Sequence, residues 1–255
     1  MIDKEIIIDA NDLSVQINER FILQHLNLQV YKGEILAIVG GSGSGKTTLM
    51  RSILKLTPAT GSIKVFDKQI LNSHEEELAL VRRNWGVMFQ QGALFSSLTV
   101  LENIAYPLTE YTKLDTQTIN EIARLKLALV GLKPNAADLK PAELSGGMKK
   151  RAAIARAIAL DPKLLFLDEP TAGLDPDGAD SLDELILQLN ETLGLTVFMV
   201  THDLDTLWKV THRVAFLGDG KIQDVNPMAD LIHSKVPMVQ DYFANERAKV
   251  RTKVS

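Results

Sequence analysis

The amino-acid sequence predicts an α/β fold: a mostly parallel β-sheet with flanking helices, an antiparallel β subdomain at the N-terminal end, and an inserted α-helical subdomain. Three observations lead to this prediction. Short apolar runs that end at polar loops, namely ILAIV, WGVMF, LLFL and TVFMV, are typical of buried parallel strands. The first third of the chain mixes alternating apolar and polar residues, and no strand pattern recurs between Gln91 and Leu144.

The antiparallel subdomain is predicted from EIIIDANDLSVQI and FILQHLNLQV, together with GSIKVFD, which follows the strand GEILAIV and the helix TTLMRSILKL. In the insertion, DTQTINEIARLKLALVGL repeats apolar residues at helical spacing before a glycine that predicts the helix end. VAFLGDGKIQDV predicts a hairpin that turns at residues 218–220. We therefore divide the chain into a core with the antiparallel subdomain (1–90 and 146–230), a helical subdomain (91–145) and a short helical tail (231–255).

Composition limits the possible functions. The chain has 255 residues, 45% of them hydrophobic, which is enough for a sizeable core. The absence of cysteine excludes a disulfide framework and a thiolate metal site, and the net charge of −4 argues against a nucleic-acid partner. The N-terminal residues lack the layout of a signal peptide, and no apolar run approaches the ~20 residues of a membrane span. The sequence therefore predicts a cytoplasmic protein that serves a membrane, if at all, from its surface.

The stretch GGSGSGKT, residues 40–47, lies between the apolar strand ILAIV and a helix. The pattern G-x-x-x-x-G-K-[ST] in that setting predicts the phosphate-binding loop of a P-loop NTPase. Backbone N–H groups of residues 43–46 would surround a β-phosphate, Lys46 would neutralise the β and γ oxygens, and Thr47 would ligate Mg²⁺. The predicted nucleotide-binding residues are Gly40, Gly41, Ser42, Gly43, Ser44, Gly45, Lys46, Thr47 and Thr48.

A second helix start with glycines lies much later in the chain, in PAELSGGMKKRAAIARAIAL. Ser145, Gly146 and Gly147 precede a basic helical run there, and the first turn of a helix exposes N–H groups that bind anions. Two such helix starts indicate either two roles on one nucleotide or two separate nucleotides.

Polar side chains follow three of the predicted parallel strands, at the ends where such sheets bind their ligands. In LLFLDE we expect Asp168 to hold the Mg²⁺ shell through water and Glu169 to polarise an attacking water. His202 follows TVFMV and is a candidate for contact with the γ-phosphate, while Gln90 offers an amide oxygen to Mg²⁺ and the water. Taken alone, the acidic pair is explained equally well by a solvated strand end, but the phosphate loop in the same chain favours the catalytic interpretation. Gln90 taken alone is better interpreted as an ordinary solvated glutamine.

These motifs, in this order, resemble those of the ATP-binding cassette (ABC) family over nearly the whole chain. LSGGM, residues 144–148, is similar to the family's signature LSGGQ, and AGLD, residues 172–175, resembles its D-loop. The resemblance implies ATP and Mg²⁺ as cofactors, and a head-to-tail homodimer in which one chain's phosphate loop and the other's signature enclose each ATP. It also implies that Ser145, Gly146 and Gly147 act on the partner's γ-phosphate and that Asp175 belongs to the nucleotide site.

Two positions depart from the family pattern. Met148 replaces the signature's final glutamine, a small change because the implied phosphate contacts use the Ser145 hydroxyl and glycine backbone. Ile17 occupies the position where the family usually stacks an aromatic ring on adenine, and Phe21 lies further along. The sequence therefore leaves open which side chain reads the base.

Three classes of ABC protein are candidates for this chain: a transporter ATPase, a soluble assembly ATPase such as that of iron–sulfur clusters, and a DNA-handling ATPase. The apolar segment after Gln90, QGALFSSLTVLENIAYPL, resembles the region of transporter ATPases that receives a permease helix. Together with LSGGMKKRAAIARAIAL and VPMVQDYF, it looks most like the ATPases of Mla-type phospholipid transporters, which maintain outer-membrane lipid asymmetry. An amino-acid or metal importer is the alternative within transporters.

The Mla-type resemblance implies an assembly. Its members would be two ATPase subunits, an integral membrane permease dimer, and accessory lipid-binding and regulatory subunits, with no nucleic acid. The ATPase would lie peripherally on the cytoplasmic face of the inner membrane. In the tail, Val236, Val239 and Phe243 recur at roughly helical spacing and suggest a dimer or partner contact, as the alternative to a solvated end.

Overall fold

The computed structural model describes residues 5–244, so the basic C-terminal end of the predicted tail lies outside the described residues. In chain order the elements are β1 (Ile6–Ile17), β2 (Arg20–Tyr31), β3 (Ile35–Val39), α1 (Lys46–Ile53), β4 (Thr60–Val65), β5 (Lys68–Gln69), α2 (Glu75–Arg82), β6 (Trp85–Met88), α3 (Val100–Tyr111), α4 (Thr116–Leu129), α5 (Gly146–Ala157), β7 (Leu164–Asp168), α6 (Pro176–Leu193), β8 (Thr196–Val200), α7 (Leu204–Val210), β9 (Arg213–Gly218), β10 (Lys221–Asn226) and α8 (Met228–Leu231). Residues 237–244 are also helical. The chain forms two compact units, residues 1–78 with 198–255 and residues 79–197.

The antiparallel sheet of the first unit confirms the prediction for the N-terminal third. Its strand order is β2-β1-β4-β5, and β1 pairs antiparallel with both β2 and β4. The two long strands join through a tight turn at Asn18 and Glu19, which both have positive φ, so that Ile17 lies opposite Arg20. One face packs inward through alternate apolar residues, including Leu13, Val15 and Leu23, which are fully buried.

The first unit also contains the strand that leads to the glycine-rich loop. The β3 strand pairs in parallel with β9, which pairs antiparallel with β10 through the predicted hairpin, in the order β10-β9-β3-β8. All five residues of β3 and of β8 are buried, as the continuous apolar runs predicted. The Thr201 N–H donates to the Ile38 carbonyl at 3.4 Å, so the chain leaving β8 lies beside the end of β3.

The second unit combines two parallel strands with helices α3 to α6. Strands β6 and β7 pair in register, with Met88 opposite Leu167. Residues 89–163, all of them described, contain helices and turns but no strand, which confirms the predicted helical insertion. Helix α4 ends before Gly131, whose φ of +73° is the left-handed conformation expected at a helix stop.

Side-chain caps define where two helices of this unit begin. Thr99 and Glu102 form a capping box on α3, and Asp115 accepts the Thr118 N–H at 3.0 Å on α4. These hydrogen bonds to the carboxylates lower the pKa of both Glu102 and Asp115. None of the helices within residues 5–244 combines the length and apolar character that crossing a membrane requires.

The helix at residues 237–244 packs on its own unit. Val239 and Phe243 are buried, and the Tyr242 ring lies edge-on to Phe216, with ring centroids 5.2 Å apart. The sequence had suggested Val239 and Phe243 for a dimer or partner contact. That suggestion is wrong for these two side chains, because they complete the core of the first unit.

Candidate nucleotide-binding site

The glycine-rich loop joins β3 to α1 in the first unit. Gly40 has φ +150° and lies so close to the Leu217 carbonyl that a Cβ there would meet its oxygen at 2.2 Å. Gly43 and Gly45 also have positive φ, which favours glycine. Helix α1 begins at Lys46 with Gly45 as its N-cap and no side-chain cap, a kind of helix start that can bind a phosphate group. The Lys46 ammonium donates to the carbonyls of Gly40 at 2.8 Å and Gly41 at 2.9 Å.

The loop fits a phosphate group. A Cβ built at Gly41 or Gly43 meets nothing within 4 Å, so the loop has open space where side chains would otherwise stand. The Ser44 hydroxyl oxygen is buried yet has no hydrogen-bond partner among the described residues. Open space and an orphaned hydroxyl at a helix N-terminus together match the needs of a nucleotide's β- and γ-phosphates.

A cavity of about 400 Å³ lies against the loop within the same unit. Its walls are aromatic, aliphatic and backbone groups from the loop, the start of β2, the β9–β10 turn and the C-terminal helix: Arg20, Phe21, Ile22, Gly41, Ser42, Gly43, Ser44, Phe216, Leu217, Gly218, Asp219, Gly220, Met238 and Tyr242. Aromatic side chains lie beside polar groups in this lining, a combination that can bind a planar heterocycle. Phe21, which the sequence left undecided, lines this cavity.

His202 also belongs to the first unit. It is exposed, two residues beyond the end of β8, in the segment that Thr201 ties to Ile38. Asp203, the next residue, caps α7 by accepting the Asp205 N–H at 3.0 Å. The structure therefore brings His202 to the same strand ends as the phosphate loop.

In the second unit, the predicted polar residues lie at matching strand ends. Because Met88 pairs with Leu167, Gln90 and Glu169 each lie two residues past a registered pair. Asp168 is buried at the last position of β7, while Glu169 is partly exposed and has a positive φ of 49°, rare for a residue other than glycine. Among residues 5–244 no group of three or more His, Cys, Asp or Glu side chains is placed to hold a metal. Mg²⁺ prefers oxygen donors and is bound through one or two carboxylates together with substrate phosphates, so the Asp168 carboxylate has suitable chemistry for a ligand.

The signature residues lie at the start of α5, as predicted. Ser145 is the N-cap and accepts the Met148 N–H at 3.2 Å, and a Cβ at Gly147 would meet nothing within 4 Å. Asp175 is the N-cap of α6 and accepts the Gly178 N–H at 2.6 Å. Ser145 and Asp175 thus cap helices in this structure. Their contacts with a nucleotide remain predictions.

Sequence reasoning missed the residues that connect these segments. The basic run of α5 was interpreted only as basic, but three of its cations donate to main-chain carbonyls of the second unit. Lys150 donates to Gln90 and Glu169, Arg151 to Val130 and Ser181, and Arg156 to Gly92 and Ala93. The sequence did carry one signal for Lys150. It precedes the buried Ile154 by one helical turn, so both side chains lie on the inward face of the helix.

The apolar segment after Gln90 is organised by one buried amide. The fully buried Asn103 accepts the Phe95 N–H at 2.8 Å and donates to the carbonyls of Phe95, Leu98 and Thr99. On the outside of this segment, the exposed rings of Phe95 and Tyr106 lie 4.7 Å apart. Exposed, contacting aromatic rings, here one from the loop and one from α3, are a feature of docking surfaces.

Comparison with known proteins places this geometry in context. The profile of the ABC transporter family matches residues 23–172. The intermembrane phospholipid transport system ATP-binding protein MlaF of Haemophilus influenzae is 40% identical over 241 residues, 94% of this chain and 91% of that protein. The methionine import ATP-binding protein MetN of Mannheimia succiniciproducens is 38% identical over 223 residues, 87% of this chain and 64% of that protein. Among solved structures, the dimeric post-hydrolysis state of the ATP-binding cassette MJ0796 with ADP and Pi has a TM-score of 0.79 and 31% identity, covering 87% of this chain and 98% of that one.

Proposed function

Since this chain belongs to the ABC transporter family and is an ATP-hydrolysing subunit, we propose that it drives phospholipid transport at the inner membrane and so maintains outer-membrane lipid asymmetry. The observation that carries the proposal is the similarity to MlaF, which exceeds the similarity to MetN in both identity and the share of this chain that it covers. Amino-acid import is the second candidate, because the MetN relative follows closely.

The phosphate loop binds the triphosphate in this proposal. Backbone N–H groups of residues 43–46 surround the β-phosphate, Lys46 moves from its loop carbonyls to the phosphate oxygens, and Ser44 gains the partner that its buried hydroxyl lacks. Mg²⁺, when bound, offsets the charge of the β- and γ-phosphates, and Thr47, Gln90 and Asp168 are the residues that would hold it.

Hydrolysis depends on Glu169 in this proposal. Its carboxylate accepts a proton from the attacking water, while His202 orients that water against the γ-phosphate. The exchange Glu169→Gln keeps the shape of the side chain but removes the base. We expect steady-state turnover to fall at least about 100-fold, the lower end of the range for a general base, with ATP affinity unchanged. Turnover near the wild-type rate would reject Glu169 as the base.

The signature residues act on a second copy of the chain. We propose a head-to-tail homodimer in which Ser145, Gly146, Gly147 and Asp175 complete the partner's nucleotide site, as the dimeric MJ0796 cassette suggests. A permease dimer binds residues 94–108, accessory lipid-binding and regulatory subunits complete the assembly, and the ATPase lies peripherally on the cytoplasmic face. The functional division into residues 1–90 with 146–230, 91–145 and 231–255 is part of this proposal.

The transport proposal is tested in a strain that lacks the gene. Surface-exposed phosphatidylethanolamine, labelled with an amine-reactive reagent that does not cross membranes, should rise in that strain and return to normal with the wild-type gene. A Lys46→Ala gene should fail to restore it, because the lysine that neutralises the phosphate is missing. Normal lipid labelling with a defect in methionine uptake would favour the second candidate and leave the ATPase activity unaffected.

A further inference from the structure

Lys150 is a buried cation with unusual partners. Its side chain lies on α5, one and a half turns after the signature Ser145, and only 7% of the residue is exposed. Buried lysines are normally paired with a carboxylate. Here the ammonium instead donates to two main-chain carbonyls, that of Gln90 at 2.6 Å and that of Glu169 at 2.9 Å.

These two carbonyls lie just past the ends of neighbouring strands. The β6–β7 register places Gln90 and Glu169 at equivalent positions. A single ammonium therefore bridges the two segments that follow these strands. No backbone ladder can do this, because strand pairing ends with Met88 opposite Leu167. The bridge therefore fixes two segments that the sheet itself leaves free to diverge.

The Glu169 backbone requires such support. Its φ of 49° is left-handed, a strained conformation for a residue other than glycine, which persists only when its surroundings hold it. The Glu169 carbonyl accepts two donors, the Ala172 N–H at 3.3 Å and the Lys150 ammonium. Because the side chain starts from the same Cα, these bonds also fix the backbone position from which the Glu169 carboxylate extends.

Electrostatics favour the same arrangement. Burial lowers the pKa of Lys150, and the nearby carboxylates of Glu169 and Asp168 act in the opposite direction and raise it. The charge is thus held close to both carboxylates, while the hydrogen bonds of the ammonium go to main-chain carbonyls. An ammonium in this place stabilises the main-chain geometry of the segments that carry Gln90 and Glu169.

We infer that Lys150 is a positioning residue for hydrolysis, which fixes Gln90 and Glu169 relative to α5 and to the signature at its start. The inference rests on the proposed roles of Gln90 and Glu169. It adds a physical connection: a shift of α5 pulls on both strand ends at once through one side chain. Arg156, which donates to Gly92 and Ala93 from the same helix, extends the connection to the segment after Gln90.

The test compares Lys150→Met and Lys150→Arg in the full-length chain with Mg-ATP. Methionine keeps the apolar stem but donates no hydrogen bond, whereas the guanidinium can still donate to both carbonyls. We expect the methionine variant to lose about 100-fold in kcat, since small displacements of catalytic groups cost this much. KM should change less than about threefold because the phosphate loop is untouched, and arginine should restore most of kcat. Lys149→Met, the same exchange one position earlier, is the matched control and should behave like the wild type.

Hydrogen exchange distinguishes positioning from folding. In Lys150→Met, amides at residues 89–92 and 169–172 should exchange faster while those of the phosphate loop and the thermal unfolding midpoint stay close to wild type. A lower midpoint with normal kcat per folded molecule would reduce Lys150 to a structural residue and overturn the inference. An unchanged kcat in Lys150→Met, together with an inactive Glu169→Gln, would overturn it while leaving the role of Glu169 intact. If Glu169→Gln remained active, the proposed base itself would be wrong.

Discussion

The side chains beside the phosphate loop determine how the nucleotide base is held. Ile17, at the position where related chains present an aromatic ring, lies at the end of β1 opposite Arg20. Phe21 lines the cavity next to the loop and is 50% exposed. Its ring can therefore contact a ligand without being withdrawn from a hydrophobic core. The aromatic group available to a base thus lies on the second strand of the hairpin.

We predict that Phe21→Ala weakens binding of ATP and GTP alike by roughly tenfold, within the range for loss of one base–aromatic stack. Stacking on Phe21 and contact with Arg20 do not distinguish adenine from guanine well. The wild type should therefore bind ATP only modestly better than GTP. Competition binding measures both effects. Leu56→Ala, which truncates an equally exposed side chain elsewhere in the same unit, is the control and should leave both affinities unchanged. A wild-type preference for ATP of several orders of magnitude would contradict this account.

At the scale of elements, close contact between β6 and α5 sets the distance of Gln90 from the signature helix. A Cβ added at Gly86, in β6, would lie 2.1 Å from the carbonyl oxygen of Ala157, the last residue of α5. Backbone, not a flexible side chain, occupies that space. The glycine is therefore what allows the helix to approach the strand.

We predict that Gly86→Ala destabilises the second unit by about 1–3 kcal/mol, the usual cost of overpacking. The midpoint of urea unfolding should fall with little change in its slope. Gly147→Ala makes the same chemical change at the start of α5, where nothing lies within 4 Å. Its stability should match or slightly exceed that of wild type, because alanine is the better helix former. Equal stability of both variants would show that the strand and helix can separate at no cost.

Sequence patterns predict these elements well but not the bonds between them. Sequence patterns predict the apolar strands β3, β7 and β8 and the end of α4 at its glycine. They do so because burial and helix termination each require particular residue types. Lys150, Arg156 and Asn103 act instead on main-chain carbonyls, which every residue carries, so no partner residue type signals the contact. The clash that requires glycine at position 86 is likewise with backbone and leaves no pattern in the sequence.

Across the whole molecule, the predicted site residues divide between the two units. The phosphate loop and His202 belong to the first, and Gln90, Asp168, Glu169 and the signature serine belong to the second. In the second unit, cations of α5 connect the signature helix with the strand ends and with the loop that carries Phe95. An external contact on that loop therefore connects to Glu169 through Arg156, helix α5 and Lys150.

The outer face of that loop is where we expect the permease to bind. Leu98 is only partly exposed and its carbonyl accepts from Asn103, so a charge there risks disturbing the loop itself. Tyr106 is 41% exposed and packs against the exposed Phe95 ring, which makes it the cleaner site for a charge.

We predict that Tyr106→Glu abolishes copurification of the membrane permease in mild detergent while ATP binding by the isolated chain stays unchanged. The carboxylate would have to be desolvated at an apolar contact, which is unfavourable without a cationic partner. Leu125→Glu, on the exposed face of α4 in the same unit, introduces the same charge away from the Phe95–Tyr106 pair and should retain the permease. Loss of the permease in both variants would indicate a general effect of added charge. Retention in both would mean that a different surface of the chain binds the membrane subunit. The permease would then not act on Glu169 through the loop that Arg156 holds at Gly92 and Ala93.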